Sequence, residues 1–204
     1  MIKSQVGIMS KTSVKTTVEW NTINWKQLER RVYKIQKRIY QASARGDVKV
    51  VRGLQKVLMK SWSAKVLATR RVTQDNQVKK TAGVDGVKAL SPSERLELVE
   101  ELKLGSKPKP TRRVWIDKPG KDEKRPLGIP TMYDRALQAL VKLALEPEWE
   151  AKFVAQSYGF RPGRSCHDAI EAIFSAIRYK PKFVLDADIA KCFDKINHQA
   201  LLKK

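Results

Sequence analysis

Apolar residues recur at helical spacing along the first third of the chain. Trp25, Leu28, Val32, Ile35 and Ile39 step by three and four, which predicts a helix with one apolar face, opened by Asn24 as its N-cap. A second stripe begins after Gly46-Asp47 and passes through Val50, Val51, Leu54, Val57, Leu58, Trp62 and Leu67, predicting one further helix. Between residues 78 and 90 the period is lost, and Gly83 and Gly86 around Val84-Asp85 predict a loop. Ser91-Pro92-Ser93-Glu94 then combines an N-cap, a first-turn proline and a capping-box glutamate. A helix carrying Leu96, Val99 and Leu102 is expected to follow, with Gly105 ending it.

Beyond Lys107-Pro108-Lys109-Pro110 the pattern changes. Arg112 to Asp117 and Arg125 to Ile129 read as two strands of a basic hairpin, joined by the turn formers Lys118 to Asp122. Thr131 and Asp134 open a helix whose Ala136, Leu137, Leu140, Val141 and Ala144 are spaced for burial, and Pro147 is expected to interrupt it. Tyr158 to Arg164 form a cation-rich loop, after which Ser165 and Asp168 cap a helix reaching about Arg178. Phe183-Val184-Leu185 resembles the start of a buried strand that runs to Ile189 and carries Asp186 and Asp188 near its end. Strand alternation would place those two carboxylates on one face.

Charge changes the picture more than length does. The 204 residues carry 42 Lys+Arg against 21 Asp+Glu, a formal net charge of +21, while 42% apolar residues suffice for a core. No run approaches the roughly 18 apolar residues of a membrane span, and the first residues lack the apolar stretch of a secretory signal. Cys166 and Cys192 have no neighbours at metal-ligand spacing, and His167 and His198 are the only histidines. A disulfide framework or structural zinc site is not expected, and the expected location is cytoplasmic.

The charge is also uneven. Residues 1–83 hold 19 basic and 4 acidic side chains, against 23 and 17 in the remainder. Arg30, Arg31, Lys34, Lys37 and Arg38 fall largely outside the apolar stripe of the first helix, and Arg52, Lys56, Lys60 and Lys65 interleave the second. Like charges repel unless a counter-charge is supplied, and nucleic-acid phosphates would supply it with a salt-dependent affinity. The plainer alternative is a solvated helix face.

Asp186, Asp188 and Asp194 lie within nine residues. Carboxylates at a strand end suit magnesium, which takes a few of them together with water and substrate phosphate. Two-metal phosphoryl transfer uses such a platform. An aspartate paired with a nearby cation, or capping a turn, explains an isolated Asp-x-Asp equally well.

Several blocks stand in a fixed order: Gly83-Val84-Asp85-Gly86-Val87; Lys118-Pro119-Gly120 with Arg125-Pro126-Leu127-Gly128-Ile129-Pro130; Asp134-Arg135; Tyr158 to Ser165 with His167-Asp168-Ala169; and Asp188-Ile189, Cys192-Phe193-Asp194 and Ile196-Asn197-His198. Over about residues 80–204 this order resembles the reverse transcriptases encoded by bacterial group II introns, the intron-encoded maturases. The resemblance implies an α+β right-hand polymerase fold. Residues 1–83 would be a basic helical N-terminal extension and the approach to the fingers loop, 84–180 the fingers, and 181–204 the start of the palm, ending before the family's Tyr-Ala-Asp-Asp segment.

The resemblance also implies roles. Asp188 would be catalytic and bind Mg2+ beside the main-chain carbonyl of Ile189, and Phe193 would be the steric gate against the sugar. Lys118 and Arg125 would contact the dNTP, although Asp117 replaces the family's proline before Lys118. Arg161 and Arg164 would lie near template or primer; alternatively, Arg161 anchors its loop by pairing with a buried acid. The basic residues of the first helix would bind RNA, and both histidines would be structural.

The implied partners are group II intron RNA, an RNA template with its DNA primer, dNTP and target DNA. No membrane is involved, homodimerisation is left open, and the bacterial nucleoid is the location when the protein acts on DNA. The implied function is the N-terminal part of an RNA-directed DNA polymerase that also binds intron RNA to assist splicing and mobility. Without the paired aspartates this chain alone is expected to be inactive. A non-catalytic RNA-binding maturase fragment and a retron-type or CRISPR-associated reverse transcriptase are the alternatives.

Overall fold

The computed structural model describes residues 19–76, 81–105, 107–120, 122–189 and 192–203. Most of the N-terminal third of the predicted basic extension, and the start of the predicted loop at Val78 to Lys80, lie outside them. The chain divides into two compact units, one ending at Phe153 and the other beginning at Val154.

The first unit is mostly helical. A short 3-10 turn, Trp20–Thr22, precedes α1 (Trp25–Ala44), α2 (Val48–Lys60) and α3 (Trp62–Arg70); a π turn over Arg71–Asp75 extends α3, and α4 spans Pro92–Glu101. β1 (Arg112–Asp117) and β2 (Lys124–Ile129) form an antiparallel hairpin, and α5 runs over Met132–Glu150. Asn24 caps α1 by accepting from the Gln27 N–H, and the predicted stripe turns inward as buried Leu28, Val32 and Ile39.

The single helix expected through Leu67 is two helices. Ser61 lies between them in extended backbone, and its hydroxyl accepts from the Ala64 N–H. A serine that bonds the backbone ahead of it favours a helix start over a helix interior. The break lets α2 bury Val51 and Leu58 while α3 buries Ala64, Val66 and Ala68; Val50 and Val57 are left exposed. α1, α2, α3 and α5 meet around Val32, Leu58, Ala64, Ala68, Leu140 and Ala144. Trp20 closes the adjoining cluster, edge-on to Trp25 with ring centroids 5.1 Å apart.

Pro147 was expected to interrupt α5, but it is buried inside the helix, which continues to Glu150. Proline has no N–H, so the Leu143 carbonyl one turn earlier loses its helical donor. Gln36 of α1 supplies a replacement, its Nε2 donating to Leu143 O at 2.9 Å. Nearby, Gln55 Nε2 donates to Ala144 O (3.3 Å) and Glu148 Oε2 (2.7 Å), and Ser43 Oγ donates to Glu148 O (2.9 Å). Gln36→Met keeps the side-chain length and removes the donor, so it is expected to lower stability by about 1–2 kcal/mol in urea unfolding. An unchanged midpoint would mean that the carbonyl needs no partner.

The second unit contains α6 (Cys166–Ile177), α7 (Cys192–Lys195) and α8 (His198–Leu202). α6 begins, as predicted, with a reciprocal capping box between Ser165 and Asp168, and Asn197 caps α8 by accepting from the Ala200 N–H. The strand expected from Phe183 to Ile189 does not form. Those residues follow irregular backbone, and Phe183, Val184 and Leu185 are exposed. A strand is held by its neighbour, and among the described residues only β1 and β2 pair. Asp186 and Asp188 therefore share no strand face. The result is a mixed, helix-rich structure with a small two-stranded sheet, and no described helix is long and apolar enough to cross a membrane.

Candidate nucleic-acid interface

The first two ordered blocks and the Asp134-Arg135 pair meet at the N-terminus of α5. Asp85 accepts from the Met132 N–H at 2.8 Å through Oδ2 and from the Val87 N–H at 3.3 Å through Oδ1. A carboxylate at this helix end also complements the positive pole of the peptide dipoles. Thr131 Oγ1 donates to Asp134 Oδ2 at 2.6 Å, and the Lys109 N–H reaches the same oxygen at 3.3 Å. Arg135 Nη2 donates to Thr81 O at 2.7 Å. These contacts tie the loop, the segment before the hairpin and α5 together. Sequence reasoning did not assign Asp85 or Arg135 these positioning roles; Asp85 is 47 residues from Met132, beyond any local signal.

The hairpin that follows pairs Arg112 with Ile129 through to Asp117 with Lys124. Alternation places Arg125 opposite Ile116, on the face that also carries Val114 and Leu127, while Arg113, Trp115 and Lys124 belong to the other face. The Lys118 N–H donates to Glu123 O at 2.9 Å, and its Nζ lies 2.6 Å from Glu123 Oε2. The Lys118 ammonium holds the Glu123 carboxyl below the usual range by hydrogen bonding and then by charge. Arg125 is exposed and makes no ion pair among the described residues. Of the two predicted triphosphate contacts, Arg125 is thus presented openly and Lys118 is engaged within its turn.

The basic face of α1 has the form expected from the sequence. Arg30, Arg31, Lys34, Lys37 and Arg38 are all exposed, and among the described residues none forms an ion pair. Glu29, the helix's one acid, lies 3.5 Å from Arg70.

In the second unit, Arg161 is buried and donates through Nη1 to Val154 O at 2.6 Å and Ser157 O at 2.7 Å. It anchors its own loop through these two carbonyls. Arg164 is exposed, with its guanidinium 5.3 Å from the Tyr158 ring centre. Hydrogen bonds from Ser165 hold the Asp168 carboxyl low, so the α6 cap weakens as acid protonates it.

Asp186, Asp188, Ile189 and Phe193 are all exposed, so Phe193 is not a core residue here. His198 Nε2 lies 2.7 Å from Phe193 O, and His167 Nδ1 lies 3.7 Å from Cys166 Sγ. The side chains of Cys192 and Asp194 lie outside the described residues. Reverse transcriptases generally use divalent metals. Among the described residues, no three His, Cys, Asp or Glu side chains gather around a shared point. The Asp188 carboxylate and Ile189 carbonyl are oxygens of the right chemistry for a hard cation, whose remaining positions water, substrate phosphate and further carboxylates would fill.

Known proteins bear on both units. Residues 20–102 match the N-terminal domain of reverse transcriptase, and residues 116–204 match the reverse transcriptase (RNA-dependent DNA polymerase) family. Protein YkfC of Escherichia coli is 35% identical over 167 residues, 77% of this chain and 43% of that protein. The group II intron-encoded protein LtrA of Lactococcus lactis is 37% identical over 133 residues, 62% of this chain and 22% of LtrA. Maturase-like protein 1 of Euglena gracilis is 34% identical over 195 residues, 88% of this chain and 41% of that protein. The chain thus spans less than half the length of each of these relatives. With the helical region matched by one reverse-transcriptase domain and the sequence from β1 onward by a second, the chain belongs to the reverse transcriptase family, as an N-terminal portion of the group II intron reverse transcriptase and maturase type.

Proposed function

We propose that this chain forms the RNA-binding extension, the fingers and the start of the palm of an RNA-directed DNA polymerase that also assists intron RNA in splicing and mobility. In this reading residues 1–83 are the extension, 84–180 the fingers and 181–204 the beginning of a right-hand palm. The partners are group II intron RNA, an RNA template with its DNA primer, dNTP and target DNA. The observation that carries the reading is the one-sided α1: its apolar stripe is buried, and five exposed cations on its outer surface have no ion-pair partner among the described residues. Phosphates are the counter-charge such a surface fits.

Arg125 is assigned to the triphosphate, where its guanidinium fork neutralises charge on phosphate oxygens. Lys118 joins it once released from Glu123. Arg164 contacts template or primer, and Arg161 shapes the loop that carries Arg164. Asp188, with the Ile189 carbonyl, contributes part of a magnesium site, and Phe193 screens the sugar. Two-metal phosphoryl transfer draws on more carboxylates than Asp188 alone, so DNA synthesis is assigned to further carboxylates together with it, and no chemical step is assigned to this chain alone.

The test measures binding of the 204-residue chain to cognate intron RNA across a salt series, with primer extension assayed in parallel. Tight, steeply salt-dependent binding without extension is expected; salt-independent or absent binding removes the RNA-binding reading. Extension by this chain alone would overturn the account of the incomplete carboxylate set. Replacing Lys34, Lys37 and Arg38 together with alanine is expected to weaken binding and reduce the salt slope by about one unit per lost phosphate contact. An unchanged slope would make α1 a solvated face.

A further inference from the structure

The outer surface of α1 carries rings as well as charges. Arg30, Tyr33, Lys37 and Tyr40 are spaced i, i+3, i+7 and i+10, along one flank of the helix, outside the stripe of buried Leu28, Val32 and Ile39. Tyr33 is 64% exposed and Tyr40 44%, and neither ring belongs to a core cluster. Seven residues separate the two rings, about 10 Å along the helix axis, or two turns. A cation lies between them and another lies one turn before Tyr33. Cations alone would hold phosphates of any nucleic acid, paired or not. Exposed aromatic faces add something that only unpaired nucleotides can use, because a base inside a duplex already has both faces stacked.

We propose that Tyr33 and Tyr40 stack on unpaired bases of bound RNA, so that α1 prefers single-stranded loops to duplex. The inference rests on the RNA-binding reading of α1 and assigns that surface its ligand class. Arg30 and Lys37 neutralise the phosphates on either side of Tyr33, while the two rings take bases a few nucleotides apart. Stacking tolerates any base, so the preference is for unpaired structure over sequence.

The 204-residue chain and its Y33A/Y40A variant are titrated against an unstructured single-stranded RNA and a duplex of equal length, each over a salt series. Removing both rings is expected to weaken single-strand binding about ten-fold or more. Duplex binding should stay within about two-fold, and the salt slope should not change, since no phosphate contact is lost. Y33F/Y40F should bind both RNAs like the unaltered chain. The rings are exposed, so the thermal midpoint of each variant should match that of the parent and exclude misfolding as the cause. Equal losses on both RNAs, or no loss on the single strand, overturn the stacking role and leave the basic face intact. Failure of the unaltered chain to bind either RNA overturns both.

Discussion

Asp188→Asn, introduced into a form of this protein that extends a primer on RNA, is expected to lower DNA synthesis by about a thousand-fold or more while RNA binding stays within about two-fold. Asparagine keeps the size of the side chain and one oxygen but removes the negative charge, and a neutral amide oxygen is a poor partner for a hard divalent cation. The position separates chemistry from folding. Asp188 is exposed, in irregular backbone, and contributes to no core cluster of either unit. Its loss should therefore leave the thermal midpoint unchanged, and a fall in synthesis would report the missing charge. Primer extension with a single-turnover readout, alongside a filter-binding titration, decides the matter: persistent synthesis would remove Asp188 from the reacting centre.

What the sequence made legible follows the range over which each signal acts. Asn24, Ser91, Thr131 and Ser165 were readable as caps because each accepts from an N–H three residues ahead. The hairpin was readable because two alternating runs flank turn formers, and the extended pairing begins one residue earlier than expected, at Lys124. Helix α5 was readable to Pro147 but not beyond it, since the group that relieves the proline, Gln36, is 107 residues from the carbonyl it serves. The break at Ser61 carried a local signal, an N-cap hydroxyl, that the continuous apolar stripe concealed. The apolar run at Phe183 to Leu185 has the composition of a buried strand, but composition supplies no neighbour to pair with.

The candidate site divides along the same line. Charge on α1 needs only helical periodicity to be located, and it appears where expected. The engagement of Lys118 by Glu123 depends on how the hairpin turn closes, and the burial of Arg161 depends on a loop folding back on its own carbonyls. Neither is encoded in spacing. The blocks that carried the family resemblance also hold architecture together. Asp85, Asp134 and Arg135 make the junction before α5, which sets the C-terminal end of the hairpin against the helix that continues from it.

That junction is where a single added methyl should do most damage to stability. A Cβ on Gly83 would lie 2.6 Å from Pro130 O, 2.9 Å from Pro130 C and 3.0 Å from Thr131 Cα. All three are backbone atoms, and Thr131 is fixed as the N-cap of α5, so the strain cannot be relieved by turning a side chain. Displacing the loop would also carry Asp85 away from the Met132 N–H. Gly83→Ala is expected to destabilise the first unit by about 2–3 kcal/mol, the upper part of the range for overpacking. The matched control is Gly53→Ala, in the interior of α2, where nothing lies within 4 Å of the new Cβ. There alanine relieves the backbone-entropy penalty of a helical glycine, and stability should rise by about 0.5–1 kcal/mol. Urea unfolding of the two variants should thus give shifts of opposite sign. Shifts of the same sign would mean that the close approach of the Gly83 loop to α5 does not constrain the fold, and the junction would lose its role in placing the hairpin.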